Sequence, residues 1–319
     1  MNTYLHKKFN KQIIKVKNLN NILIAISGGQ DSLCLVKLME DFKKEQTFFG
    51  KIEYIYIDHK WRQDSEKQIK HLINYIYKNL SSISIYETYK ITYSELEARQ
   101  LRYQIIIQHA ISNNYSTILT AHTETDKIET FFQQLMRGTS LDGATSLIFH
   151  RQLKHNLKLV RPLIDICRTD INWFCRKFCL PIWSDNTNYQ YNIIRNRLRY
   201  ELMPYLRQYF MLNIESNISK FINISNQDNE YIKQNATKLY LISRHKINIA
   251  LNYSLIRQQH YAIQMRTLEI FFYHHFSKPL NYKTLIKIIN FIQTEYTPYK
   301  KVKWHHLTIN IYNDWIYIN

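Results

Sequence analysis

Apolar residues in the first half of the chain follow two alternating periods. Short β-branched and apolar runs at 22–26, 52–57, 82–88 and 116–121 predict four strands. Between them, residues 33–42, 64–78 and 94–113 carry apolar positions at helical spacing, and Ser94 with Glu97 three residues on can open the last of these as a capping box. A further helix starts after the fourth strand, with Asp126 and Glu129 on its first turns. Strands that alternate with helices in this way predict an α/β domain built on a doubly wound, mostly parallel sheet. Before the first strand, residues 1–19 read as a short amphipathic helix or ordered arm. After the fourth, residues 159–163 read as extended and 169–178 as a helix.

The pattern changes after Pro204, where glycines vanish and aromatic residues fall at core spacing with basic residues between them. Residues 211–241 predict one or two helices, 255–276 another and 280–293 another. The end alternates enough for a small hairpin, 304–309 with 311–318. We therefore expect two domains, an α/β domain over 1–205 and a smaller, mainly helical one over 206–319.

Composition adds a partner to this picture. With 319 residues, 45% of them hydrophobic, the chain can bury a sizeable core. No apolar run has membrane-spanning length, so no membrane partner is expected. The residues Cys34, Cys167, Cys175 and Cys179 contain no Cys-x-x-Cys pair, and reduced thiols are the default. A net charge of +18 points to a polyanion, with nucleic acid the first candidate. From Ile194 on there are 17 Lys and Arg against 7 Asp and Glu, so the C-terminal part is the more basic per residue. Richness in Asn, Ile, Lys and Tyr with only 5 glycines also fits coding from an AT-rich genome, which raises Lys by itself.

The candidate chemistry centres on Ser27-Gly28-Gly29-Gln30-Asp31-Ser32, between the first strand and the first helix after it. Glycines there let the backbone turn sharply and bring its N–H groups to a ligand, and the helix adds its positive dipole end. Ser27 and Ser32 add hydroxyl donors, so the loop reads as a phosphate cradle. It is neither a dinucleotide fingerprint nor a Walker loop. Asp31, where a Walker loop would carry Lys, suggests a magnesium ion bridging to phosphate.

Other candidates gather at strand ends and on helix faces. His59 follows the second strand at the edge where open α/β sheets bind ligands, as a ligand contact or an ordinary turn residue. Arg99 and Arg102 share a helix face, suited to phosphate or to pairing with Glu95. His122, Asp126 and Glu129 follow the fourth strand; the carboxylates either cap the helix or, with His122, hold a cation, magnesium or a substrate ammonium. Arg195 and Arg199, four apart on a helix, make a basic face for phosphate or for solvent.

The hexapeptide resembles the SGGxDS pyrophosphate-binding loop of the PP-loop ATP pyrophosphatases, a Rossmann-like superfamily that adenylates a substrate and lets a nucleophile displace AMP. Later elements resemble the tRNA(Ile)-lysidine synthases within it: Ala98-Arg99-Gln100-Leu101-Arg102-Tyr103, residues 121–130 as AH-x-x-DDQ-x-ET, Arg137-Gly138, Arg161-Pro162-Leu163, and the series Asp185, Asn188, Arg195, Asn196, Arg199 and Pro204. The likeness covers about residues 20–205. Thr125 and Lys127 depart from the DDQ triplet, and Lys60 stands where the family has Gly.

This resemblance implies ligation of free L-lysine to C2 of the wobble cytidine of a CAU-anticodon isoleucine tRNA, with ATP as substrate and Mg2+ beside it. It implies Asp31, Arg99 and Asp126 as catalytic residues, and Ser27, Gly28, Gly29, Gln30, Asp31, Ser32 and His59 around ATP. His122, Asp126 and Glu129 would bind lysine; Arg102, Arg161, Arg195, Arg197 and Arg199 would bind tRNA; Asp31 would hold the metal. The 206–319 domain would bind tRNA. A homodimer is a candidate assembly. The thiolating tRNA relatives are the nearest alternative enzyme, and a catalytically degenerate tRNA-binding protein is the alternative outside catalysis. The composition fits a plastid-encoded stromal protein, which we favour, or a bacterial cytoplasmic one.

Overall fold

A computed structural model of the protein describes residues 2–16, 19–45, 50–58, 65–78, 81–88, 95–153, 156–183, 194–294 and 299–319. They form two compact units, residues 1–222 and 223–319. The first opens with helix α1 (Tyr4–Ile13) and then alternates: β1 (Asn21–Ile26), α2 (Gln30–Glu45), β2 (Lys51–Asp58), α3 (Ser65–Lys78), β3 (Ser82–Glu87), α4 (Glu95–Ser112), β4 (Thr117–Thr120) and α5 (Glu124–Met136). A short α6 (Leu141–Ala144), the strands β5 (His150–Gln152) and β6 (Lys158–Val160), and α7 (Arg168–Lys177) follow.

Among the described residues, these strands make one six-stranded sheet in the order β3-β2-β1-β4-β6-β5. Its pairs are parallel except β5 on β6. This is the doubly wound sheet that the alternation predicts. Ile22, Ile24 and Ile26 of β1 pack in a core with Phe9, Leu33, Leu38 and Phe174. Leu23 belongs to the core on the opposite face, with Ile106, Ala110 and Ile118. A strand covered on both faces must be apolar at nearly every position, which is why these strands read as continuous runs. The chain lays β2 and β3 on one side of β1 and then crosses to lay β4 on the other. The carboxyl ends of β1 and β4 therefore flank a topological switch point, where sheets of this class bind ligands.

After α7 the chain runs through α8 (Ile194–Arg197), a π-helical turn (Leu198–Leu202), α9 (Met203–Tyr209) and α10 (Ile214–Ser243). The division between the units falls inside α10, whereas position 205 lies in α9. The second unit contains β7 (Ala250–Asn252), α11 (Tyr253–Arg257), α12 (Tyr261–Phe276), α13 (Tyr282–Gln293), β8 (Lys300–Trp304), β9 (Leu307–Tyr312) and β10 (Trp315–Ile318). Its core packs Leu268, Phe271 and Phe272 of α12 and Ile288 of α13 against Ile309, Ile311 and Ile316 of the strands.

Two expectations for this unit are corrected. The helix predicted over 255–276 is broken at His260, whose side chain accepts the Ala262 N–H and caps α12 afresh. The predicted hairpin is a four-stranded antiparallel sheet, β7-β10-β9-β8. Asn313 and Asp314, both at positive φ of 49° and 62°, close a tight turn between β9 and β10. That left-handed pair is the chemistry of a two-residue hairpin, and it splits the last alternating run into two strands.

Candidate active site at the carboxyl edge of the parallel sheet

The loop after β1 is built around one glycine. Gly28 has φ +75°, and a Cβ there would lie 2.6 Å from Nε2 of Gln68. That amide donates to the Ser27 carbonyl at 2.9 Å, while the Gly28 carbonyl accepts from the Trp183 N–H at 3.3 Å. Any side chain at position 28 would strain the backbone and dislodge Gln68, so both sequence and packing fix the turn. Helix α2 begins at once: the Gly29 carbonyl accepts the Leu33 N–H, and also the Ser32 hydroxyl at 2.8 Å. The first N–H groups of a helix have no partner within it, so the first turn of α2 presents donors and a positive dipole end to the crevice.

Asp31 sits on that first turn. Burial pushes its carboxyl up to about 6, the neighbouring Asp126 and Glu129 push the same way, and Arg168 and Arg199 pull against them. Its Oδ1 is buried and has no hydrogen-bond partner among the described residues. An ionisable oxygen held without a donor beside a phosphate cradle suits a hard cation shared with phosphate oxygens, so the residues present fit magnesium.

The second wall comes from the start of α5. Thr123 and Asp126 form a capping box, in which the Thr123 N–H and hydroxyl donate to Asp126 Oδ2 at 2.8 and 3.0 Å. Asp126 Oδ1 lies 3.5 Å from Arg195 Nη2 and 3.7 Å from Arg199 Nη2. Burial pushes this carboxyl up, but Arg195, the Thr123 N–H and Arg199 outweigh it and hold the group below its usual range. Glu129 is fully buried and clamped: Arg195 Nε donates to Oε2 at 2.7 Å, and Arg199 Nε to Oε1 at 2.6 Å. Two carboxylates and two guanidiniums thus balance in one cluster.

His122 lies in the same crevice, with Nδ1 3.0 Å from the Thr120 hydroxyl. Burial lowers its pKa to about 3 against the pull of Asp126, and Arg161, Arg99 and Arg195 lower it further. The ring is therefore neutral at physiological pH. Arg99 packs over the Tyr103 ring at 5.9 Å, and Arg161, only 4% exposed, donates to the Ile148 carbonyl at 2.7 Å.

A model of the PP-loop domain family matches residues 1–206. A chloroplastic tRNA(Ile)-lysidine synthase of Gracilaria tenuistipitata var. liui is 52% identical over 319 residues, 99% of each chain. That of Pyropia yezoensis is 41% identical, covering 88% of this chain and 85% of its own. The chain belongs to the tRNA(Ile)-lysidine synthase family. A relative from a Nostoc species is 38% identical over 74% of this chain and 70% of its own. Among solved structures, the U34-tRNA thiolase NcsA of Methanococcus maripaludis superposes with a TM-score of 0.59 over 69% of this chain and 76% of that one, at 14% identity, which shows the fold alone.

Within the lysidine synthase family's motifs, the structure brings Asp31, Arg99, His122, Asp126, Glu129, Arg161, Arg195 and Arg199 into one charge network. Arg102 and Arg197 are both exposed, and Arg197 pairs with Glu201 at 3.0 Å. His59, Lys60, Ser94, Asp185 and Asn188 lie outside the described residues, as does the Glu95 side chain. Lys127, the departure from the family's Gln, is buried and turned to Asp165 Oδ1 at 2.7 Å. Thr125 is half-buried on the first turn of α5. Arg168, whose charge bears on Asp31, was not legible as a site residue. It opens α7 five residues after the Arg161-Pro162-Leu163 element but belongs to no motif, and the signal in the sequence is a basic residue at the start of a helix.

Proposed function

We propose that this protein ligates free L-lysine to C2 of the wobble cytidine of a CAU-anticodon isoleucine tRNA. The cytidine carbonyl oxygen attacks the α-phosphorus of ATP and pyrophosphate leaves; the lysine ε-amine then attacks C2 and AMP leaves, giving lysidine and changing the codon read from AUG to AUA. The observation that carries this reading is the meeting of a phosphate cradle with an acidic and arginine-rich cluster at one switch point, in a chain of this family along its whole length.

Each group has a part in that chemistry. The first turn of α2, with Ser27, Gly28, Gly29, Gln30 and Ser32, takes the ATP phosphates. Asp31 would hold Mg2+, which supplies positive charge against those phosphates. Arg99 stands ready for charge that develops on the transferred phosphoryl group. Neutral His122 adds no positive charge where an ammonium must approach, and Asp126 Oδ1 offers it an acceptor. Glu129 spends both oxygens on Arg195 and Arg199, so its part is to fix those guanidiniums beside Asp126. The chloroplastic relatives support a plastid protein, and we place it in the stroma.

The basic C-terminal part would hold the tRNA. Lys301 and Lys303 point outward from β8, an edge strand whose Val302 and Trp304 are buried. Edge lysines also guard a strand against unwanted pairing, which by itself needs no RNA. Affinity for tRNA should fall steeply with salt, because each neutralised phosphate releases counterions. Reversing Lys300, Lys301 and Lys303 together should weaken binding and shallow the log–log salt slope by roughly two to three units, about one per lost contact. An unchanged affinity and slope would assign these lysines to edge protection alone.

A further inference from the structure

Helix α7 runs out from the candidate site with one face uncovered by the described residues. Its first residue, Arg168, is among the charges that bear on Asp31. Ile171, Phe174 and Cys175 turn into the core. The other stripe, Thr169, Asn172, Trp173, Arg176 and Lys177, follows the i, i+3, i+4, i+7, i+8 spacing of one helix face and lines an open depression. At 1.5 Å rise per residue it extends over roughly 12 Å from the crevice outward.

Its centre is a large aromatic ring left in water. Trp173 is 49% exposed, and Lys177 Nζ sits 4.8 Å from the centre of its ring. Around it are amide, hydroxyl and two cationic groups, with one carboxylate, Asp170, at the edge of the stripe a turn before Trp173. Protein hot spots also use Trp and Arg, but they sit in well-packed pockets ringed by contacts that exclude water, whereas this depression is open and its ring stands alone. An isolated aromatic ring flanked by cations is instead the pattern that takes an unpaired base, because every base has a face to stack and a phosphate on either side.

We propose that this face of α7 is a foothold for unpaired nucleotides of the tRNA next to the base being modified. One base stacks on Trp173, Arg176 and Lys177 meet the flanking phosphates, and Asn172 is within the same stripe to bond a base edge. The assignment rests on the reading of the substrate as tRNA. It puts an RNA contact in the first unit, apart from the basic C-terminal part and from every family motif.

The test uses full-length protein with whole CAU-anticodon tRNA and with its isolated anticodon stem-loop, across a salt series. Trp173→Ala should weaken both RNAs by roughly five- to a hundredfold, the range for losing one stacked base, and Trp173→Phe should recover most of it. Arg176→Glu with Lys177→Glu should shallow the salt slope by roughly two units. In turnover, the loss should appear in the KM for tRNA and not in the KM for ATP. Unchanged affinity and slope in variants that melt like wild type would overturn the proposal. So would a loss seen with whole tRNA but not with the stem-loop, or a wild-type dimer that Trp173→Ala dissociates, which would seat a second copy on this face. Wild-type protein that binds no tRNA would instead defeat the reading of the substrate itself.

Discussion

Asp31→Asn should abolish adenylation while raising stability at neutral pH. The substitution keeps the shape of the side chain but removes the anionic oxygen that would hold magnesium against the ATP phosphates. Loss of one such electrostatic partner typically costs roughly a hundred- to a thousandfold in rate, and loss of the metal as well would cost more. Affinity for tRNA should stay nearly unchanged, because the cradle itself is backbone. The stability effect follows from linkage. A carboxyl lifted from 3.8 to about 6 on folding destabilises the native state once it ionises. Its penalty is absent below the unfolded value, grows as pH rises from 3.8 to about 6, and is fully present above that. Thermal melts in magnesium-free buffer should therefore show the Asp31→Asn variant more stable than wild type at pH 7 by about 2–3 kcal/mol, with the difference gone by about pH 3. A variant that melts below wild type at pH 7 would make Asp31 a structural residue.

Glu129→Gln should do the reverse and damage the fold: burial lifts this carboxyl too, but unlike Asp31 it is held by two guanidiniums that would be left without their partner. In the native protein each carboxylate oxygen takes one arginine Nε, at 2.7 and 2.6 Å, in a fully buried position. The amide can accept one of those bonds but carries no charge, and its NH2 group meets a second guanidinium head on. Removing one member of a buried ionic cluster typically costs about 3–5 kcal/mol, because the partner charges stay buried without compensation. The melting temperature should drop by roughly 10 °C. Turnover should fall too, as Arg195 and Arg199 lose their place beside Asp126. If the variant melted within a degree of wild type, the two arginines would be free to face phosphate, as their spacing alone suggests.

That contrast shows what the sequence could and could not convey. The phosphate loop was legible because its chemistry is local: strand, glycine turn and helix start lie within a dozen residues. The alternation of strands and helices then located the second wall of the crevice, at the end of β4. Spacing also put Arg195 and Arg199 on one face, but a helix period says nothing about what lies opposite. Only the fold shows that Glu129 is there, some 66 residues earlier in the chain. Asp126 was read as either a helix cap or a cation ligand; it caps α5 with one oxygen and keeps the other in the cluster. The neutrality of His122 comes from burial among arginines on three other elements, which no local pattern encodes. In the second unit the missed features were local after all. Asn313-Asp314 and His260 are ordinary turn and cap signals inside alternating or apolar runs, and periodicity outweighed them.

Lysine incorporation tests the central claim most directly. Purified protein would be given ATP, magnesium, labelled L-lysine and unmodified isoleucine tRNA with a CAU anticodon, beside the same tRNA with the wobble cytidine changed to uridine. Label should enter the CAU tRNA only when ATP is present, one lysine per tRNA with one pyrophosphate and one AMP released, and none should enter the uridine control. Equal labelling of the control, or a protein that binds the CAU tRNA and releases no pyrophosphate, would contradict the account.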